Sequence, residues 1–237
     1  MIKFFRKIRQ KLLSENRFSK YFIYAIGEIL LVVIGILIAL SINNWNEFKK
    51  ERITERDFLI SIQNDLKQDT AFLSSQIKNN KYRLSRYHFI NPKFQLEDEY
   101  KVEVKDTAYQ LRQFTSSPRT FGPTTGAYNS LISEGKTSLI TNKELLKKIQ
   151  EIYEVEFRSN ELITKRREEI LLQLHWERRL EIDRNPYLYP NDIKDELFLA
   201  ELNYNKRYVH FYLRQKIRYK TMMTELIVLI DEELKDD

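Results

Sequence analysis

The sequence predicts an all-α protein: an N-terminal transmembrane helix continuing into an antiparallel bundle of three long helices, with short helices in 91–140. Three observations predict it. Glycine and proline are scarce, five of each in 237 residues, while 31% of residues are charged; that balance suits long helices better than a turn-rich sheet protein. A long apolar run sits near the N-terminus. Beyond it, apolar residues recur every three or four positions along three extended stretches, the period of an amphipathic helix.

The apolar run is Tyr21 to Ile42, YFIYAIGEILLVVIGILIALSI, with Glu28 as its one ionisable residue. As a helix rising about 1.5 Å per residue it reaches roughly 33 Å, against a hydrocarbon core of about 30 Å. The reading is an uncleaved signal anchor. Ala39-Leu40-Ser41 offers the small-x-small pattern of a signal-peptidase site, so cleavage after Ser41 is the alternative. Against it stand an apolar stretch longer than a usual signal peptide's and a long basic arm before it.

Net charge looks at first like a nucleic-acid signal. The chain carries +6, but residues 1–20 alone hold seven basic groups against Glu15. Residues 43–237 hold 33 basic and 32 acidic groups and are balanced. The basic excess therefore belongs to the arm, and phosphate-backbone binding by the large domain is disfavoured. The same asymmetry sets the expected orientation. Seven basic residues precede the span, whereas four follow it in 43–62 (Lys49, Lys50, Arg52, Arg56), which places the N-terminus in the cytoplasm. Tyr21, Tyr24 and Trp45 stand where interfacial aromatics belong. The segment FFRKIRQKLL sets Phe4, Phe5, Ile8 and Leu12 against a basic face, suited to anionic lipid.

Glu28, Val32, Gly35 and Ala39 fall at i, i+4, i+7 and i+11 of the span and share one helical face. Gly35-x-x-x-Ala39 is a small-xxx-small pair that lets a second helix approach. A carboxyl in lipid is costly and tends to face a partner. The expectation is a helix–helix interface, with a second copy or with another inner-membrane protein. The plainer reading has Glu28 snorkelling to the cytoplasmic interface beside incidental small residues.

The run KFFRKIRQKLLSENRFSKYFIYAIGEILLVVIGILIALSINNWNE resembles the opening of an uncharacterised family of single-span membrane proteins widespread in Bacteroidota, a domain of unknown function. GAYNSLISEGKTSLITNKELLKKI, residues 126–149, is similar to that family's later pattern of short helix, glycine turn, apolar stretch and new helix. The resemblance implies a bacterial inner-membrane protein with a periplasmic helical domain. It carries no catalytic residues over.

Three regions follow: a basic cytoplasmic arm over 1–20, the anchor over 21–42 and the helical domain over 43–237. After the span, Leu59, Ile62, Leu66, Leu73, Ile77 and Leu84 form a heptad-like stripe on a helix ending near residue 90. With no flexible linker between anchor and stripe, the bundle is expected to stand rigidly on the membrane. Val104, Ala108 and Leu111 predict a short helix around 103–115. Thr125 or Gly126 opens another to Ser133, which Gly135 ends. Thr141 and Glu144 read as a capping box for a helix through Leu145, Ile149 and Ile152 to about Ile182. The prolines at 186 and 190 break it. Asn191 or Asp192 can cap the last helix, whose stripe is Tyr204, Tyr208, Phe211, Gln215, Tyr219, Met222, Leu226 and Leu229.

Signatures of chemistry are few. Absence of cysteine excludes disulfides, thiolate metal sites and a cysteine nucleophile. His88, His175 and His210 lack zinc spacing, and no H-E-x-x-H occurs. Gly122-Pro123-Thr124-Thr125-Gly126 lacks a P-loop lysine and reads better as a turn with helix caps. Ser130 and Ser133 have no nucleophile elbow. Glu168-Glu169 and Asp231-Glu232-Glu233 are adjacent and diverge around a helix, so they read as solvated or ion-paired. The run YNKRYVHFYLRQKIRY, 204–219, mixes rings with basic residues but follows a helical stripe, which favours packing over base stacking.

No residue pattern implies a cofactor, a metal or a catalytic group. The expected function is therefore a non-enzymatic protein-interaction or ligand-sensing module in the bacterial envelope, bound to the lipid bilayer and not to nucleic acid. The alternatives are a membrane-tethered hydrolase or lyase with its site in 91–140, and a scaffold that sets a distance from the membrane.

Overall fold

The computed structural model describes residues 18–90, 93–104, 109–110, 121–158, 161–162, 165, 187–188 and 196–235. The protein is all-α. Its helices are α1 (Phe18–Ile90), α2 (Gly126–Ser133), α3 (Lys143–Gln150) and α4 (Glu196–Glu233). A π-helical turn, Glu151–Glu156, follows α3 directly. Two 3₁₀ turns, Asp98–Tyr100 and Lys136–Leu139, lie at positions the sequence reading left irregular.

The chain divides into two compact units, Met1–Thr54 and Glu55–Asp237. In the first, the described part of α1 is one bare helix. Large apolar side chains from Ile29 to Ile42 are all exposed. This is the one helix among the described residues long and apolar enough to cross a membrane. Trp45 and Phe48 extend the exposed apolar surface past Ile42, and the Lys49 ammonium lies 5.7 Å from the centre of the Trp45 ring.

In the second unit α1 and α4 run antiparallel. Three tethers fix the direction: Gln63 Nε2 donates to Asp231 Oδ1 at 2.6 Å, Lys216 Nζ to Gln76 Oε1 at 3.3 Å, and Arg56 Nη1 to the Leu234 carbonyl at 2.8 Å. The predicted stripe of α1 is its core face. Leu59, Ile62, Leu66, Leu73 and Leu84 are fully buried, and Ile77 packs against the second of two apolar clusters. The first cluster joins α1 to Leu131 of α2, Leu145 and Ile149 of α3, and Tyr219, Met223, Leu226 and Ile230 of α4. The second joins Leu84 and Tyr87 to Leu96, Tyr100, Leu202, Val209 and Leu213.

Helix α2 begins after Thr125 and ends at Ser133, as predicted. Gly135 follows it with φ 66°, a left-handed conformation that glycine adopts without a Cβ penalty.

Three local expectations need correction. The cap of α3 is Asn142, whose side chain accepts from Leu145 N, and not Thr141. The Thr141 hydroxyl is engaged elsewhere: it and the Thr141 N–H both donate to Glu55 Oε1. The helix expected around 103–115 is not found at the described residues of that stretch, and 105–108 and 111–115 lie outside them. Val104 is non-helical, and Tyr109–Gln110 pairs antiparallel with Tyr187–Leu188, a two-residue ladder too small to alter the fold class.

The third correction concerns the face of α4. Its N-terminal half turns Leu202, Asn205, Val209, Leu213 and Lys216 inward, leaving Phe211 exposed and Tyr204 and Tyr208 half-buried. Tyr204 meets Tyr208 edge-on at 4.9 Å, and Tyr208 stacks on the buried Tyr212 at 6.3 Å between ring centres. Aromatic periodicity misled because the inward face contains polar residues. The middle of the helix expected to reach Ile182, and the caps proposed at Asn191 or Asp192, lie outside the described residues.

Candidate functional site

Two regions qualify as sites, one in each unit. The first is the face of the span predicted from spacing. Helical geometry puts Glu28, Val32, Gly35 and Ala39 along one side of α1, with Val32 and Ala39 exposed and Glu28 half-exposed. Nothing lies within 4 Å of where a Gly35 Cβ would stand. The face is therefore open to a second helix.

The second region lies partly in 91–140, the segment the sequence offered for an alternative enzyme site, but the contribution of the turn after α3 was not foreseen. It is a groove of about 710 Å³ bordered by the 121–125 loop, α2 and the π-helical turn. Its construction starts on α1. Asp65 and Asp69, one turn apart, both reach the N-terminal end of α2. Asp65 Oδ2 accepts the Ala127 N–H at 3.2 Å; Asp69 accepts the Thr124 N–H and the Thr124 hydroxyl, each at 2.8 Å. Thr125, the N-cap, makes no side-chain capping bond of its own. Acids on α1 thus satisfy donors that a helix start leaves open, at the end where negative charge is favourable. These bonds anchor the GPTTG loop to α1.

Opposite the loop, the π-helical turn places Ile152 and Tyr153 in the interior, and Phe157, five residues after Ile152, is buried as well. The wider turn keeps Ile152 and Phe157 on neighbouring faces, and such turns recur at functional positions. Tyr128 of α2 stacks on Tyr153 with ring centres 4.5 Å apart and planes 6° apart. Phe157 meets Tyr153 edge-on at 5.4 Å and Phe121 at 5.8 Å. These four rings make a dry floor. Glu154, Arg158, Glu161 and Asn129 stand around it.

Electrostatics across the floor is acidic. Tyr128 donates to Glu154, and burial together with that carboxylate pushes its phenol well above the ordinary value. Tyr153 is only 7% exposed, and its hydroxyl has no hydrogen-bond partner among the described residues. Burial, then the Asp65 and Asp69 carboxylates, push that phenol up too. Asp69 itself is raised, chiefly by burial. Arg158 is the one basic side chain among the described lining residues.

The remaining candidates are placed apart. His88 Nδ1 lies 2.5 Å from the Phe94 carbonyl, and His210 Nε2 lies 3.1 Å from Glu97 Oε2, with its ring edge-on to Tyr100. Neither lines the groove. His175 and Glu168-Glu169 lie outside the described residues. Ser133 Oγ donates to the Ser130 carbonyl, so these serines serve the helix end. Asp231 accepts from Gln63, and Glu233 Oε2 accepts from Asn142 at 2.6 Å, so two of the three C-terminal acids tie helices together. Among the described residues no group of three or more His, Asp or Glu is arranged to hold a metal ion.

Comparison with known proteins adds one family. A family of unknown function, DUF6090, matches residues 28–170, more than half of the chain. The matched stretch takes in most of the span, the rest of α1 and the described residues of the groove. Comparison with curated proteins and with solved structures returned no match.

Proposed function

The chain belongs to DUF6090, a family of unknown function, and we propose that it is a membrane-anchored, non-enzymatic binding module whose helical domain engages a partner at the groove beside α2. The observation that carries this reading is the groove itself: a preformed, aromatic-floored depression rimmed by charged side chains. Its described lining residues include no histidine, and the serine-like hydroxyl among them, Thr125, accepts from Asn129 at 3.1 Å. That set suits recognition better than proton transfer or nucleophilic attack.

The exposed apolar length of α1 supports anchoring in a bilayer. The excess of basic residues before the span supports a cytoplasmic N-terminus, with the domain on the periplasmic side of a bacterial inner membrane. Glu28, Val32, Gly35 and Ala39 are proposed as the contact for a second membrane helix, from another copy or from a different protein. The anchor then concentrates the groove at the membrane, where a tethered site meets membrane-bound partners at high effective concentration.

In-cell photo-crosslinking from two positions tests the proposal. Asn129, exposed on the groove rim, probes the groove, and Val32 probes the span. A reproducible foreign protein captured from Asn129 supports the binding reading. Capture from neither position, with a small-molecule turnover detected in a substrate screen, overturns it in favour of a tethered hydrolase or lyase.

A further inference from the structure

We propose that the groove receives a lysine or arginine side chain of a polypeptide partner. The inference rests on the reading of the groove as the binding face and adds the chemistry of what binds. Charge complementarity carries it. Glu154 and Glu161 line the groove, with Asp65 and Asp69 behind its floor, against Arg158 as the one cation among the described lining residues. The floor is apolar, and a low local dielectric strengthens attraction between a buried cation and those carboxylates.

A metal ion fits the same charge less well, because no set of three ligating side chains converges among the described residues. A guanidinium or ammonium needs no such set. It can rest against aromatic rings while its N–H groups reach carboxylates. The groove is open along one side and larger than one side chain requires, so the peptide backbone on either side of the basic residue can lie along it.

The test is fluorescence anisotropy of the full chain in neutral detergent with two labelled peptides, Gly-Lys-Gly-Lys-Gly and Gly-Glu-Gly-Glu-Gly. The lysine peptide is expected to bind, and the glutamate peptide is not. Glu161→Gln should weaken the lysine peptide roughly two- to fivefold and Arg158→Gln should tighten it by a similar factor, the range of exposed charge pairs. Glu154→Gln keeps an acceptor for Tyr128 and should act like Glu161→Gln. Equal or better binding of the glutamate peptide, indifference to all three substitutions, or no binding of either peptide overturns the inference. Failure here is distinguishable from failure of the groove reading: a partner crosslinked at Asn129 that lacks a basic residue at the contact leaves the groove a binding face and removes only its preference for cations.

Discussion

Glu55, 1% exposed on α1, holds the backbone of Thr141 across 86 residues of sequence: its Oε1 accepts the Thr141 N–H at 2.7 Å and the Thr141 hydroxyl at 3.3 Å. The carboxylate thus fixes the entry of α3 against the start of the domain. Glu55→Ala leaves a donor on the chain unpaired and should cost roughly 2–3 kcal/mol. Glu55→Gln retains an acceptor and should cost less, and Thr141→Val, losing only the longer bond, less again. Urea unfolding of the full chain in mild detergent checks this order.

Asn142 is the cap of α3. Asn142→Ala should destabilise by about 1 kcal/mol, whereas Thr141→Ser, which keeps the hydroxyl, should cost little. The result distinguishes the observed cap from the Thr141 capping box read in the sequence. Asn142→Asp keeps the bond to Leu145 N but sets a second carboxylate beside Glu233, so it should fall between the two.

Two glycines nine residues apart should respond oppositely to alanine. Gly135 sits at φ 66°, so Gly135→Ala should cost on the order of 1 kcal/mol. Gly126 opens α2 with nothing within 4 Å of a new Cβ. Gly126→Ala should be neutral or stabilising by up to about 1 kcal/mol, through the entropy of the unfolded chain. The two midpoints of thermal unfolding, compared with wild type, decide it.

Asp69 and Glu97 should give opposite pH dependences. Burial raises the Asp69 carboxyl above its ordinary 3.8. Its contribution to stability is therefore full below pH 3.8 and is lost as pH rises through the folded value. The stability of Asp69→Asn relative to wild type should improve between pH 3.5 and 6. Glu97 is lowered from 4.5, first by its own backbone N–H and then, against some burial, by His210 and Arg214. Its contribution is present above pH 4.5 and lost as pH falls through the folded value. Glu97→Gln should therefore be mildly destabilising at pH 6, where wild type carries the charge, and the difference should close below pH 4. Unfolding midpoints measured across that range read both signs.

What the sequence made legible was what repeats locally. Leu59, Ile62, Leu66, Leu73 and Leu84 declare the core face of α1 because apolar spacing and burial coincide there. Gly135 announces the end of α2 because only a left-handed residue closes that turn cheaply. The groove was hidden because it is assembled from distant parts: Asp69 meets Thr124 across 55 residues, and Tyr128 meets Glu154 across 26. The π-helical turn that presents Tyr153 has no sequence signature of its own. The face of α4 was misread because Asn205 and Lys216 occupy inward positions that hydrophobic periodicity assigns to leucine, while Phe211 stands outside. The four residues of the span face were read from spacing alone, since one isolated helix needs no tertiary contact to set which residues share a side.

The central claim is that one N-terminal helix tethers a domain lying outside the cytoplasm, and side-specific labelling tests it most directly. The chain has no cysteine, so Ser133→Cys, at an exposed helix end, introduces a single reporter. In membrane-attached chains of cells with a permeabilised outer membrane and an intact inner membrane, a membrane-impermeant maleimide should label Cys introduced at 133 fully. Protection until the inner membrane is lysed would place the domain in the cytoplasm, and labelling of chains released from the membrane by alkaline carbonate would remove the anchor; either result contradicts the account.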